Sequence, residues 1–284
     1  MLIMAGGMAA CDDNPNAPYR PVTTINPVTT IDPNPDSRWA YRPCNSVESN
    51  PDAPAAPNAL IDGLWQGTLT NETLKTREPY TGIVAGDGRF RLRSFGHTQL
   101  VGTLAVQGDR YNGAGFAHSG GLTWHDGTLS SDLVIAGTIA GRDTLDGEFT
   151  LASGDAGCFE LDYDANLYER PSSLDLIAGQ WLVYDGWGWL WLSFDVSAQG
   201  EFSAEDGCGC SYAGRFRLVD SGFNLYAVDL DITQNAVFNY MCSISGNFEG
   251  LAYLADTADG LYANHYLNMV LTTSNDALRI DMHR

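Results

Sequence analysis

Lysine is almost absent from this chain: Lys75 is the only one in 284 residues, and 15 basic residues face 35 acidic ones, a formal net charge of -20 at neutral pH. A body this negative repels a phosphate backbone, which excludes nucleic-acid binding, and it repels anionic lipid headgroups too. No apolar run approaches the roughly 20 residues of a membrane-crossing helix. No segment sustains the 3.6-residue apolar period of a substantial helix either, so helical fold classes are excluded. Motifs that carry chemistry are equally scarce: Gly-x-Ser-x-Gly, a P-loop and a dinucleotide fingerprint are all missing. His118 and His125, near Asp126, have no Glu-x-x-His companion and read as solvated loop histidines. Asp162-Tyr-Asp164-Ala-Asn166 opens like a calcium loop, but Leu167 stands where glycine would make the turn, and no bidentate glutamate follows at the right distance. No metal, cofactor or catalytic residue is expected. A paired-carboxylate glycosidase stays open only because carboxylates occur throughout.

Proline and glycine divide the chain near residue 60, with ten of the 12 prolines before it and 29 of the 31 glycines after it. Residues 11–59 contain a direct repeat, Pro-Val-Thr-Thr-Ile, that begins at Pro21. Such proline-punctuated polar sequence favours extended polyproline conformation over a packed core, so this stretch reads as a disordered tether. At about 3.1 Å per residue it could reach on the order of 150 Å. Trp39, Tyr41 and Cys44 stand apart from its composition and are expected to dock its end onto the body.

Beyond residue 60, short runs of alternating polar and apolar residues are separated by glycine and aspartate turns, which is all-β punctuation. Gly86-Asp87-Gly88, Gln107-Gly108-Asp109, Leu145-Asp146-Gly147 and Ala258-Asp259-Gly260 are expected to reverse hairpins. The body also repeats itself. Leu60-Ile61-Asp62-Gly63-Leu64-Trp65 recurs as Leu176-Ile177-Ala178-Gly179-Gln180-Trp181, after a capping-type residue, Asn58 in one case and Ser172 or Ser173 in the other. Each copy reads as a short capped helical turn, stopped by glycine and leading into a strand with an inward tryptophan. Val101-Gly102-Thr103-Leu104 parallels Ala213-Gly214-Arg215-Phe216, and Ile135-Ala136-Gly137 parallels Ile244-Ser245-Gly246. Two modules follow, at 60–170 and 171–284, each large enough for its own core.

A helical turn followed by Gly-x-Trp is similar to the entry strand of lipocalin-type barrels. The resemblance implies two tandem eight-stranded antiparallel barrels, each plugged by a tryptophan, Trp65 and Trp181, with an arginine across the ring, Arg170 and Arg279. Small β-sandwiches are the competing architecture, since alternation and turn spacing do not separate the two. The N-terminus carries a second resemblance. Met1 to Ala10 is an apolar run closing on two small residues before Cys11, with Asp12 and Asp13 next. This resembles the lipobox of bacterial lipoproteins, which implies that residues 1–10 are a signal peptide and that the Cys11 sulfur carries a diacylglyceryl anchor. The same resemblance implies the bacterial cell envelope as location, lipid-anchored and periplasmic or surface-exposed.

Disulfides persist in such a compartment, and five cysteines remain beside Cys11. Cys210 and Cys242 both lie at strand starts after loops in the second module, which makes them the preferred bridge. Cys44 and Cys158 could form another, which would dock the tether and leave Cys208. Cys208-Gly-Cys210 lacks both a nearby histidine and Cys-x-x-Cys spacing, which speaks against a metal or redox site. The densest aromatic stretch is Trp187-Gly-Trp189-Leu-Trp191-Leu-Ser-Phe194. As a strand it sets three indoles on one face and Leu190, Leu192 and Phe194 on the other. One reading buries both faces, and the sharper one makes Trp187, Trp189 and Trp191 an exposed platform for a glycan, a peptide or a partner protein. Together these features point to a lipid-anchored envelope protein acting as a non-catalytic binding or structural accessory module, with an envelope protein or glycan as partner. An envelope glycan hydrolase and a lipocalin-like carrier of a small lipophilic ligand are the alternatives.

Overall fold

The computed structural model describes residues 41–44, 59–94, 98–119, 123–184, 190–206, 209–234, 242, 245–257, 260–273 and 276–284. They form two closed antiparallel barrels of eight strands each, and contacts divide them into two units that part between Tyr168 and Glu169. The first barrel comprises β1 (Gly63–Asn71), β2 (Thr76–Val84), β3 (Arg89–Ser94), β4 (Gln99–Gln107), β5 (Arg110–His118), β6 (Ser130–Ile139), β7 (Thr144–Leu151) and β8 (Ala156–Tyr163). The second comprises β9 (Gly179–Tyr184), β10 (Leu190–Val196), β11 (Glu201–Glu205), β12 (Cys210–Leu218), β13 (Tyr226–Gln234), β14 (Gly246–Ala255), β15 (Tyr266–Thr272) and β16 (Ala277–His283). Two short helices, α1 (Ala165–Tyr168) and α2 (Leu174–Ile177), lie between them in sequence. Each strand pairs with its sequence neighbours, and β1 closes on β8 as β9 closes on β16. Closure leaves no sheet edge, which a sandwich would have.

Alternation fills the interior. In β7, Leu145 and Phe149 are buried while Glu148 is exposed, and in β8, Phe159 and Leu161 are buried while Glu160 and Asp162 are exposed. In the second barrel, Val228, Leu230 and Ile232 are buried while Asp229 and Asp231 are more exposed. Carboxylates outside and hydrocarbon inside are the reverse of a barrel that spans a membrane, whose outer band is apolar.

Leu145-Asp146-Gly147 is not a turn but part of β7, a correction to the sequence reading. A Cβ on Gly147 would fall 2.1 Å from the Tyr111 hydroxyl, and one on Gly137 2.5 Å from it. Both glycines are there to admit that ring, whose hydroxyl donates to the Asp146 carbonyl at 2.9 Å. The second repeat motif is corrected too. Gly137 lies near the end of β6 next to Trp65, whereas Gly246 opens β14 at the end away from Trp181, so the similarity is out of register. Val101–Leu104 and Ala213–Phe216 do correspond, on β4 and β12.

Both plugs are fully buried. The Trp65 Nε1 donates to the Ile61 carbonyl at 3.2 Å, and the Trp181 Nε1 to the Ile177 carbonyl at 2.7 Å. Only the second copy has the helical turn, α2, and its N-cap Ser173 makes no side-chain capping bond; the first reaches the same carbonyl without a helix. The arginines differ from those the resemblance implied. Arg284 lies 4.0 Å from the Trp181 ring centroid and donates to the Leu176 carbonyl. Arg170 instead pairs with Asp256, and Arg279 with Asp281, because both sit on strand or loop positions that face outward. Beside Trp65, the covering ring is Tyr163, edge-on at 5.3 Å, with Arg142 over Tyr163 and paired to Asp62. Arg284→Ala should therefore cost barrel 2 about 2 kcal/mol in denaturant unfolding, whereas Arg279→Ala should cost under about 1 kcal/mol. Equal losses would remove Arg284 from that role.

Candidate functional site

The interiors of the two barrels differ at the end away from the plug. In barrel 2, aromatic rings run on in contact: Phe216 to Phe202 at 4.8 Å, Phe202 to Phe194 at 5.3 Å, Phe194 to Tyr212 at 6.0 Å and Tyr212 to Trp191 at 6.1 Å. In barrel 1 the corresponding end opens into a cup of about 230 Å³, lined by Leu69, Asn71, Leu74, Thr76, Glu78, Tyr80, Thr98, Leu100, Ser119, Thr123, Trp124 and Phe149. The strand registers show one source of the difference. Leu104 pairs with Gly113 on β5, and its counterpart Phe216 pairs with Val228 on β13. From there β5 turns Gly113, Gly115 and Ala117 inward where β13 turns Val228, Leu230 and Ile232.

The rim of the cup is held by Asp155, which is 1% exposed. Its carboxylate accepts from Asn71 Nδ2 at 3.3 Å, the His125 backbone N–H at 2.8 Å and the Ser153 hydroxyl at 3.0 Å. Three connections are thereby tied together: the β1–β2 turn, the β5–β6 connection and the β7–β8 turn. Asn71 Oδ1 also accepts from the N–H groups of Thr73 and Leu74, fixing Leu74 at the lip. Trp124 donates its indole N–H to the Ala117 carbonyl at 3.2 Å. Its ring is thus held at the mouth.

Polar groups converge on this apolar space. Among the described residues, the buried hydroxyl of Ser119 has no hydrogen-bond partner, and that of Tyr80 has only poorly formed contacts with the Thr98 and Ser94 side chains. Burial, and then the charge of Glu78, pushes the Tyr80 phenol well above its ordinary range, opposed by hydrogen-bonding contacts with the Thr98 and Ser94 side chains. Glu78 is half-buried, and desolvation raises its carboxyl above the usual value, opposed by the Ser94 hydroxyl. Among the described residues lining the cup, Glu78 is the only ionisable carboxylate and none is Lys, Arg or His. No group of three or more metal-ligating side chains occurs among the described residues.

The other expected sites fall as follows. Cys210 is bonded to Cys242 and Cys44 to Cys158, with Cα separations of 5.0 and 5.7 Å. Cys11, Cys208, Trp187 and Trp189 lie outside the described residues. Trp191 is half-buried against the barrel 2 core, edge-on to Tyr212. The expected alternation fails there because the β9–β10 register shifts between Leu190 and Leu192, leaving Leu190 57% exposed while Leu192 and Phe194 are buried. Trp191 thus packs, partly buried, against the barrel 2 core, while Trp187 and Trp189, the other two indoles of the expected platform, lie outside the described residues. His118 is a buried strand residue, not a solvated loop histidine, and only His125 is exposed. The cup itself was not anticipated, although Gly113, Gly115 and Ala117 at alternate positions were a sign of it.

The segment 41–44 docks beside barrel 1. Tyr41 donates its hydroxyl to the Glu72 carboxylate, and the Cys44 N–H donates to Glu72 Oε1 at 2.5 Å. Lys75 Nζ lies 3.0 Å from Glu72 and 3.1 Å from the Tyr41 hydroxyl. These partners, with Tyr41 first, hold Glu72 down at about 2. A depressed carboxyl stabilises docking fully above its ordinary value of 4.5 and progressively less as pH falls toward 2. A phosphine reductant should open the Cys44–Cys158 bridge faster over that interval, relative to the Glu72→Gln variant at each pH. A constant ratio would show that Glu72 does not hold the segment.

No protein-family model matches the chain, and no curated protein matches it. Among solved structures, Aeromonas veronii immune modulator A is similar over 81% of this chain and 96% of its own, with 12% identity and a TM-score of 0.35. A candidate outer membrane protein of Bacteroides fragilis is similar over 79% of this chain and 97% of its own, with 10% identity and a TM-score of 0.28. With scores this low, neither neighbour informs what this chain does.

Proposed function

We propose that this chain is an envelope-located, non-catalytic binding protein whose binding site is the cup of barrel 1. The observation that carries the reading is the pair of buried hydroxyls, Tyr80 and Ser119, neither of which has a well-formed hydrogen bond among the described residues, beside an apolar space at the end where barrel 2 stacks aromatic rings. A buried polar group without a partner costs about 1 to 3 kcal/mol, and a ligand that satisfies it recovers that cost. A single carboxylate among the described lining residues favours binding over glycoside hydrolysis, which uses two. Of the two alternatives the sequence left open, the small-ligand carrier is thus the nearer in chemistry, with a ligand smaller than most lipocalin cargo. The two disulfides support an oxidising compartment. Attachment through Cys11 remains part of the proposal and rests on the lipobox-like leader alone.

Thr98→Phe places a ring in the cup. It should abolish binding of toluene, followed by the shift of the Trp124 indole proton, while moving the melting temperature by no more than a few degrees. Retained toluene binding with the cup filled would place the ligand elsewhere. Cys11→Ser should independently shift the protein from the detergent-extracted membrane fraction to the soluble fraction. Unchanged membrane association would remove the anchor.

A further inference from the structure

We infer that the cup takes a small apolar molecule bearing a protonated amine; this rests on the cup being a binding site. Size comes first. A cavity of roughly 150 Å³ lined by aliphatic and aromatic side chains holds benzene. At about 230 Å³ the cup has room for one ring and a short arm, but not for a long acyl chain. Leu69, Leu100, Phe149 and Trp124 supply the apolar walls.

Charge comes second. Glu78 stands in the wall with a serine hydroxyl as its neighbour, and among the described residues no cationic side chain forms an ion pair with it. A half-buried carboxylate without a counter-ion recovers only part of its desolvation cost from the Ser94 hydroxyl, and a ligand cation supplies the charge that is missing. An anion finds the opposite: no Lys, Arg or His among the described lining residues, and a chain of net charge -20 around it.

Hydrogen-bond inventory comes third. A primary ammonium has three donors and no acceptor. The cup presents the Glu78 carboxylate and the hydroxyls of Tyr80 and Ser119, each able to accept. A hydroxyl or thiol on the same ring has one donor to offer, and a carboxylate could only accept from the two hydroxyls while facing the charge of Glu78. The aromatic face of Trp124 at the mouth favours a cation as well.

Three ligands of one shape separate charge from shape: benzylamine, benzyl alcohol and benzoate, titrated calorimetrically into the full chain at neutral pH. Benzylamine should bind at least about tenfold more tightly than benzyl alcohol, the advantage expected of one charge-assisted contact, and benzoate should not bind measurably. Glu78→Gln should abolish the amine's advantage and leave benzyl alcohol unchanged. Tyr80→Phe keeps the ring and removes a hydroxyl whose contacts with Thr98 and Ser94 are poorly formed. It should keep the melting temperature and weaken benzylamine several-fold, so the inference is tested even if the Glu78 variant unfolds. Equal binding of amine and alcohol, stronger binding of benzoate, or an unweakened Tyr80→Phe variant would overturn the ammonium assignment and leave the cup as a binding site. Failure of all three ligands and of toluene to bind would overturn both.

Discussion

Each barrel depends on an indole N–H that has to be satisfied where no water reaches. Trp65 and Trp181 are fully buried at the ends of their barrels, and an unpaired N–H there would cost about 1 to 3 kcal/mol. The acceptor in each case is the carbonyl four residues earlier, Ile61 or Ile177, so the chain must bend back just before its first strand. That bend fixes where β1 and β9 begin and which of their residues point inward. A one-residue slip would turn every side chain of the strand to the other surface. The ring then needs a cover, and the two copies solve this differently: Arg284 over Trp181, and Tyr163, itself under Arg142, beside Trp65.

Divergence between the copies follows from what the inward positions carry once the plug is set. Barrel 2 fills its interior with rings in contact from Trp191 to Tyr226, and its disulfide at Cys210 lies at the same end as Trp191. Barrel 1 spends its small residues on β5 and keeps Tyr80, Glu78 and Ser119 around the space that results. A polar group in such a place lowers stability unless it does something, and a rim tied through Asp155 keeps those groups in position without a ligand.

The fold was legible because its signals are local. Alternation, turn residues and the Gly-x-Trp repeat each act within a few residues, and closed barrels of eight strands follow from them together with the lipocalin resemblance. The cysteine pairs were legible for a related reason: Cys210 and Cys242 lie near strand starts at one end of one module. What failed needed knowledge of register. Asp146-Gly147 looks like a turn, yet its glycine serves a tyrosine on β5, far away in sequence. Strict alternation also breaks at Trp191, where the register shift between Leu190 and Leu192 leaves its indole partly buried against the core. The arginine over Trp181 is the last residue of the chain rather than Arg279, because only the end of β16 reaches the plug. The cup was illegible for the same reason: Leu69, Glu78, Leu100, Ser119 and Phe149 come from five separate segments, and no one of them is unusual where it stands.

Scarcity of cations ties the surface to the site. Arg77 pairs with Glu160, Arg89 with Asp87, Arg142 with Asp62, Arg170 with Asp256 and Arg217 with Asp229, while Lys75 holds Glu72 and Tyr41 at the docked segment. These basic residues are thus committed to ion pairs on strands and turns, and the acidic excess is left to set the field around the protein. In such a field a small cation is drawn toward the protein and an anion turned away before either meets a wall. Within the cup the walls are apolar and the local dielectric is lower, so the same sign of charge on Glu78 counts for more than it does outside. Surface and site therefore select in the same direction, the first through encounter rate and the second through residence.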